Sequence, residues 1–398
     1  MNIIKLSHSQ ILECDYSFVR YLKNAIDWDD RLVVIVGARG VGKTTLMLQY
    51  IRHEYGTSEK ALYVSVDNIF FSKSGLFSLA EDFYINGGRH LFIDEAHRYP
   101  GWAAEVKNLY DSFPKMRMVV SGSSALQIHR AAADLSRRAA MYHLHNLSLR
   151  EFIAMKHSIH IEPITLEGIV DSHQAIAEGI IKQVDSIIPI FKEYLSGGAY
   201  PFFLESRAKF YQRLNSTINV IIDMDLMAIE QFNYSTTISI KRILAFIADS
   251  VPMKPNIAEL SRKTGVSRDV LLKLISMLEQ ADVLMLLRET SSPMSYLTKP
   301  QKIYLHNSAL NYSLSLNREP EVGTVRETFF ANQLQVQHAV TSHPKCDFLI
   351  DNKYAFEIGG RNKTSKQIKG IEDSFVAMDN LEVGYRNIIP LWLFGFLY

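Results

Sequence analysis

Only two cysteines occur in the 398 residues, Cys14 and Cys346, and they lie far apart. They offer neither a disulfide framework nor a cysteine-rich zinc site, which fits a reducing compartment. A dominant charge is also missing: 43 Lys and Arg against 42 Asp and Glu give +1 at pH 7. That excludes a global polybasic pull on nucleic acid or acidic membranes, though not a local basic face. Long apolar runs are lacking; Leu32–Val36 and the tail Ile388–Tyr398 fall well short of the ~20 residues of a spanning helix. The N-terminus has no basic stretch leading into an apolar one, so no signal peptide is expected. The expectation is a cytoplasmic protein with no membrane partner. Internal repeats and low-complexity tracts are absent as well.

What is present is an ordinary globular composition, 47% hydrophobic and 21% charged. At ~150 residues per domain, this length predicts about two to three domains. Residues 9–27 have apolar positions at helical spacing and predict one amphipathic helix. Next comes RLVVIVG, a continuous apolar run of the kind found in strands buried on both faces of a parallel sheet. Alternating helices and strands follow (GKTTLMLQYIRHEY, ALYVSVD, HLFIDEA, AAEVKNLYDSF, MRMVVSGS), predicting a doubly wound α/β domain over about 1–150.

Gly37, Ala38, Arg39, Gly40, Val41, Gly42, Lys43 and Thr44 fit G-x-x-x-x-G-K-[ST], with Thr45 following, after a buried strand and at the start of a helix. The glycines let backbone N–H groups curl around phosphate oxygens, and the helix start adds donors and a favourable dipole. Lys43 would reach the β- and γ-phosphates, and Thr44 would place its hydroxyl on Mg²⁺. Asp94 and Glu95 end a buried strand, at the edge where open α/β sheets gather ligands. Asp94 would hold Mg²⁺ and Glu95 would polarise the attacking water. In isolation the pair would read as an acidic helix start. The same letters, Asp94-Glu95-Ala96-His97, spell a helicase DEAH box, but no second set of buried parallel strands follows residue 150. Ser121, at the tip of the next strand, is the candidate γ-phosphate sensor, and Asp67 could also face the site. Transition-state charge would come from Leu135-Ser136-Arg137-Arg138, with Arg138 favoured as sensor or finger.

The set GARGVGKTTL, LFIDEAHRYPGWA, MVVSGSSALQI, LSRRAAMYHLHNLSLREF and GGAYPFFLE resembles the prokaryotic AAA-domain ATPases of the ASCE P-loop class that carry a C-terminal DUF4143-type region. The likeness is strong over 31–152 and fades toward the C-terminus. It implies ATP binding, with hydrolysis, and a P-loop NTPase parallel sheet. Relatives place a Leu-x-Gly-Arg stretch before the last core strand; here Arg137 stands where that glycine would be.

Beyond the first domain the sequence predicts a helical connector over 151–237, broken by Pro163, Pro189 and Pro201. A winged-helix-like domain is predicted over 238–317, with Ile257, Leu260, Val266, Val270, Leu271, Leu274 and Leu278 on buried faces and Gly265 at the turn. Its second helix offers Arg268 and Lys273 against Asp269 and Glu279, a thin basic face for a DNA reader. DNA or a protein are the partners this leaves open. Over 318–398, Glu327, Asp347 in CDFLI, Glu357 in YAFEI and Gln367 follow the order of the PD-(D/E)xK nuclease core, a restriction-endonuclease-like α/β module. The usual lysine two residues past the second carboxylate is Gly359, so Lys363 would have to reach back. The aromatic tail reads as a strand with one buried face.

Overall fold

The computed structural model describes residues 3–123, 135, 137–227, 234–249, 255–289, 300–315, 318–361, 363 and 368–398. Ser124, Ser136 and Gln367 lie outside the described residues. The chain divides into two compact units, 1–145 and 146–398.

The first unit is built on β1 (Leu32–Val36), β2 (Ala61–Ser65), β3 (His90–Asp94), β4 (Arg117–Gly122) and β5 (Ala140–His143). They form one parallel sheet in the order β2-β3-β4-β1-β5. β1 is buried at all five positions, as its unbroken LVVIV run requires of a strand covered on both faces. Helices α1 (Ile3–Glu13), α2 (Leu22–Ala25), α3 (Lys43–Glu54), α4 (Leu76–Ile85) and α5 (Trp102–Ser112) complete the unit. The order places β4 between β1 and β3, so the chain leaves β1 for a distant strand. A crevice is therefore expected at the C-terminal edge, between the ends of β1 and β3.

The helix predicted over 9–27 is two helices. Asp15 breaks it: its carboxylate accepts from Ser17 N–H at 2.9 Å and from the Ser17 hydroxyl at 2.8 Å. Such a local side-chain turn competes with helix hydrogen bonding.

The second unit starts with helices, among them α6 (Leu149–His157) and α7 (Leu166–Ile181). The three modules predicted over 151–237, 238–317 and 318–398 lie within this one unit. α8 (Ile257–Thr264), α9 (Arg268–Gln280) and the antiparallel pair β6 (Leu284–Leu287) and β7 (Lys302–Leu305) follow one another. Ile257, Leu260, Leu271, Leu274 and Leu278 are buried, but Val270 is 37% exposed and Val266 only half-buried. Val270 and Leu272 flank the buried stripe of α9 on either side and stay exposed. Glu279 does not oppose the α9 cations, because its carboxylate takes both ends of the Arg288 guanidinium at 2.8 and 2.9 Å.

α10 (Val322–Leu334) precedes a mixed five-stranded sheet ordered β12-β11-β10-β9-β8, from β8 (Val340–His343), β9 (Cys346–Ile350), β10 (Tyr354–Gly359), β11 (Ser374–Met378) and β12 (Ile388–Pro390). β9 and β10 form a hairpin whose turn residues Asp351 and Asn352 take φ of 51° and 56°, the left-handed pair a tight hairpin needs. The tail is not a long strand. After β12 it winds into a 3₁₀ turn, Leu391–Phe396, buried at every position. An all-round apolar segment has no solvent face to give alternation meaning. Among the described residues no helix is long and apolar enough to cross a membrane.

Candidate functional site

The loop between β1 and α3 is set by its glycines. Gly42 takes φ of 99° immediately before α3, where a side chain would be strained. Gly37 passes so close to β5 that an added Cβ would lie 2.3 Å from the Leu144 carbonyl oxygen. Lys43, 5% exposed, folds its ammonium onto the Gly37 and Ala38 carbonyls at 2.8 Å each. Thr45 is exposed on the first turn of α3. The N-terminal segment braces the loop from outside. Arg20 is buried and donates to the Val41 carbonyl, and also to the His145 carbonyl at 2.8 Å. Gln49 donates to the Asp15 and Phe18 carbonyls at 2.7 and 2.8 Å.

Parallel registration brings the end of β3 to this loop. Asp94, 2% exposed, accepts from the Thr44 hydroxyl at 2.6 Å and the Tyr63 hydroxyl at 2.8 Å, both on Oδ2. Oδ1 accepts from the Ser121 hydroxyl and from Glu95 N–H, the latter at 3.0 Å. A buried carboxylate with four donors is held in one orientation. Burial and the Asp94 charge push the Tyr63 hydroxyl well above its ordinary range, so it stays a donor.

Glu95 follows in left-handed backbone, φ 55°, a costly conformation for a non-glycine residue. It turns Glu95 out of the strand's alternation. Burial first, and Asp94 second, raise its pKa above the ordinary carboxylate value; Lys43, Arg39 and Arg98 oppose the shift. Its Oε2 lies 3.3 Å from the Ser123 hydroxyl, 3.4 Å from His97 Nε2 and 3.9 Å from Arg98 Nε. Burial, with Arg39, Arg98 and Lys43 adding, drives His97 down to about 3, so the ring is neutral at physiological pH.

The structure therefore brings together Gly37 through Thr44, Asp94 and Glu95. It corrects two expectations. Ser121 is fully buried and spent on Asp94; the hydroxyl beside Glu95 is Ser123. Arg138 is not at the site. It precedes β5, whose register pairs Ala140 with Val33, so Arg138 sits level with the start of β1. The loop begins at Gly37, on the order of 20 Å farther along at ~3.3 Å per residue. There Arg138 forms a two-point ion pair with Asp111, 3.1 Å at each contact. Arg137 is exposed at that same end. Asp67 is exposed and accepts from the Ser65 hydroxyl at 2.6 Å.

Oxygen donors, one carboxylate and one hydroxyl beside a phosphate-cradling loop, suit a hard divalent ion that keeps water and phosphate ligands. Among the described residues no three His, Cys, Asp or Glu side chains gather to hold a metal.

In the second unit, the β9–β10 register pairs Phe348 with Phe356; continued by one residue it sets Asp347 opposite Glu357, and Asp347 accepts from Ile358 N–H at 2.9 Å. Lys363 reaches Glu357 at 2.5 Å. A side chain at Gly359 would overlap Lys363 Cβ and Cγ, 2.5 Å away, so the glycine makes room for the returning lysine. Lys302 of β7, unnoticed in sequence, stands 3.3 Å from Glu327 and 3.4 Å from Asp347. Tyr304 donates to Glu327 at 2.6 Å. Burial raises both Glu327 and Glu357, with Asp347 adding to each; Lys302 opposes the shift at Glu327 and Lys363 opposes it at Glu357.

Residues 29–153 match the family described as AAA domain, AAA_14. The match spans the whole β1-to-β5 sheet. Residues 188–321 match a domain of unknown function, DUF8612, where the resemblance in sequence implied a DUF4143-type region. Over 366 residues the chain is 26% identical to the uncharacterized protein MJ1637 of Methanocaldococcus jannaschii, covering 85% of this chain and 77% of that one. Among solved structures, AMPPCP-bound DnaA from Aquifex aeolicus aligns at 11% identity and TM-score 0.27, covering 70% of this chain and 89% of that one. A katanin structure, from work on its self-assembly, aligns at 16% identity and TM-score 0.26, covering 42% and 58%. C. elegans PCH-2 aligns at 15% and 0.25, covering 39% and 44%. The chain thus spans less than two thirds of the katanin and PCH-2 structures. Likeness at these scores carries no weight for this chain's activity.

Proposed function

We propose that this protein is a Mg²⁺-dependent ATPase that acts as a molecular switch. The observation that supports it best is the Thr44 hydroxyl held 2.6 Å from Asp94 beside the Lys43 loop. The loop amides and Lys43 bind the phosphates. Thr44 and Asp94 would hold Mg²⁺, which supplies positive charge against the β- and γ-oxygens. Glu95 takes a proton from water as its oxygen bonds to the γ-phosphorus. The bond from that phosphorus to the β–γ bridging oxygen breaks, and ADP and phosphate leave. Glu95→Gln should lower turnover on the order of 100-fold while ATP still binds; equal turnover in the two proteins would refute its role as base.

The switch would act on the second unit. We read residues 151–237 there as a helical connector, 238–317 as winged-helix-like and 318–398 as PD-(D/E)xK nuclease-like, with DNA or a protein as partner. A second reading makes the protein an ATP-gated nuclease through Glu327, Asp347, Glu357 and Lys363. Supporting it is the Asp347–Glu357 cross-strand pair with Lys363 folded onto it. Lys302 weighs against it, since its ammonium sits between two carboxylates that a metal would need. Mg²⁺-dependent DNA cleavage that is lost in Asp347→Ala would favour the nuclease; absence of cleavage by wild type would leave the switch.

A further inference from the structure

Phosphoryl transfer spreads negative charge over the three γ-oxygens, and some cation must meet it. The two arginines before β5 are at the far end of the sheet, so the charge has to come from elsewhere in this unit or from another molecule. Among the described residues of this unit, three cations act on Glu95: Lys43, Arg39 and Arg98. Lys43 faces the Gly37 and Ala38 carbonyls, and Arg98 approaches the Glu95 carboxylate itself.

Arg39 is different. Its Nη2 donates to the Ser123 hydroxyl at a long 3.4 Å. Its Nε is enclosed and makes no hydrogen bond among the described residues. Across the same hydroxyl stands His97, whose side chain is 2% exposed. Nε2 of His97 lies 3.4 Å from Ser123 Oγ, and its Nδ1 is likewise enclosed without a hydrogen bond. Enclosed polar atoms left unpaired disfavour the nucleotide-free arrangement. Two of them flank one hydroxyl, at the tip of β4, beside the phosphate loop. The three contacts to that hydroxyl, from Glu95, His97 and Arg39, all measure 3.3–3.4 Å. Contacts this long are readily exchanged for those of an incoming anion.

We propose that Arg39, Ser123 and His97 together form the contact for the terminal phosphate of a nucleoside triphosphate, with Arg39 supplying the transition-state charge from within the same chain. This rests on the nucleotide-binding reading above and deepens it. Arg39 presents its guanidinium to the γ-oxygens. Ser123 and His97 turn from Glu95 to the phosphate, releasing the Glu95 carboxylate toward water. The set separates triphosphate from diphosphate, because ADP offers nothing at that position.

The test is calorimetric binding of Mg²⁺–AMPPCP and Mg²⁺–ADP to the full chain, with ATP turnover measured beside it. In Arg39→Ala, AMPPCP affinity should fall about 10-fold or more while ADP affinity stays within about 2-fold, and kcat should fall on the order of 100-fold. Arg39→Lys should recover part of both. Ser123→Ala should shift the AMPPCP-to-ADP ratio the same way by a few-fold, which keeps the test alive should Arg39→Ala fold poorly. An unchanged ratio and turnover in folded Arg39→Ala and Ser123→Ala would overturn the assignment. Failure of the underlying reading looks different: wild type would bind neither nucleotide.

Discussion

Glu95 shows what the site costs its own residue. Its left-handed backbone strains the folded form, and its burial beside Asp94 disfavours the ionised carboxylate. With the folded-state value raised, the penalty is absent below the ordinary Glu range near 4.3 and complete once pH exceeds the raised value. Glu95→Gln should therefore unfold at a higher temperature than wild type at pH 7–8. That gain should vanish as pH falls below the ordinary range, which thermal melts across pH will show. Lys43, Thr44, Asp94 and Glu95 were legible because spacing and strand context encode them. Tyr63 was not, although a lone tyrosine in the buried run ALYVS carries a hydroxyl that has to find a partner. Ser121 and Ser123 are two residues apart at a strand end, and spacing alone does not say which one turns to Glu95. The choice was made by Asp94, which captured Ser121.

Elements explain why these residues meet. The parallel sheet was readable from its apolar runs, and its C-terminal edge placed the site. Arg138 was misplaced because a linear motif does not reveal which end of a strand it precedes; the β1–β5 register does. Close packing of that edge makes Gly37 intolerant of change. Gly37→Ala should abolish most nucleotide affinity and destabilise the fold by roughly 1–3 kcal/mol, read by calorimetry and urea unfolding, because its Cβ meets fixed backbone. In the second unit, Lys302 on β7 compensates carboxylates on α10 and β9, an arrangement that sequence order conceals. Lys302→Met should cost about 2–4 kcal/mol in urea. The loss should be greatest at neutral pH and above, and should ease on acidification as Glu327 takes up a proton. A loss that is flat with pH would mean Lys302 merely packs.

For the molecule as a whole, balanced charge means that electrostatic work is local. The Arg138–Asp111 pair is one such local contact, both partners partly solvent-exposed at 28% and 49%. Exposed pairs contribute about 0–1 kcal/mol. Arg138→Ala should leave ATP turnover within about 2-fold of wild type and barely move the unfolding midpoint. A large fall in turnover would restore the arginine to the reaction. The second unit was less legible than the first: Pro189, expected to break a helix, lies in the first turn of the helix Ile187–Glu193, and the Val270 side and the 3₁₀ tail depended on packing partners far off in the chain.

An ATP-driven switch in this molecule requires that the loop Gly37–Thr44 grip a triphosphate. The decisive measurement is titration calorimetry of Mg²⁺–ATP into the purified wild-type chain and into Lys43→Ala. Saturable heat at a stoichiometry near one in wild type, weakened by about 10-fold or more in Lys43→Ala, is the predicted result. Equal affinity in both proteins, or no heat in a folded wild type, would contradict it.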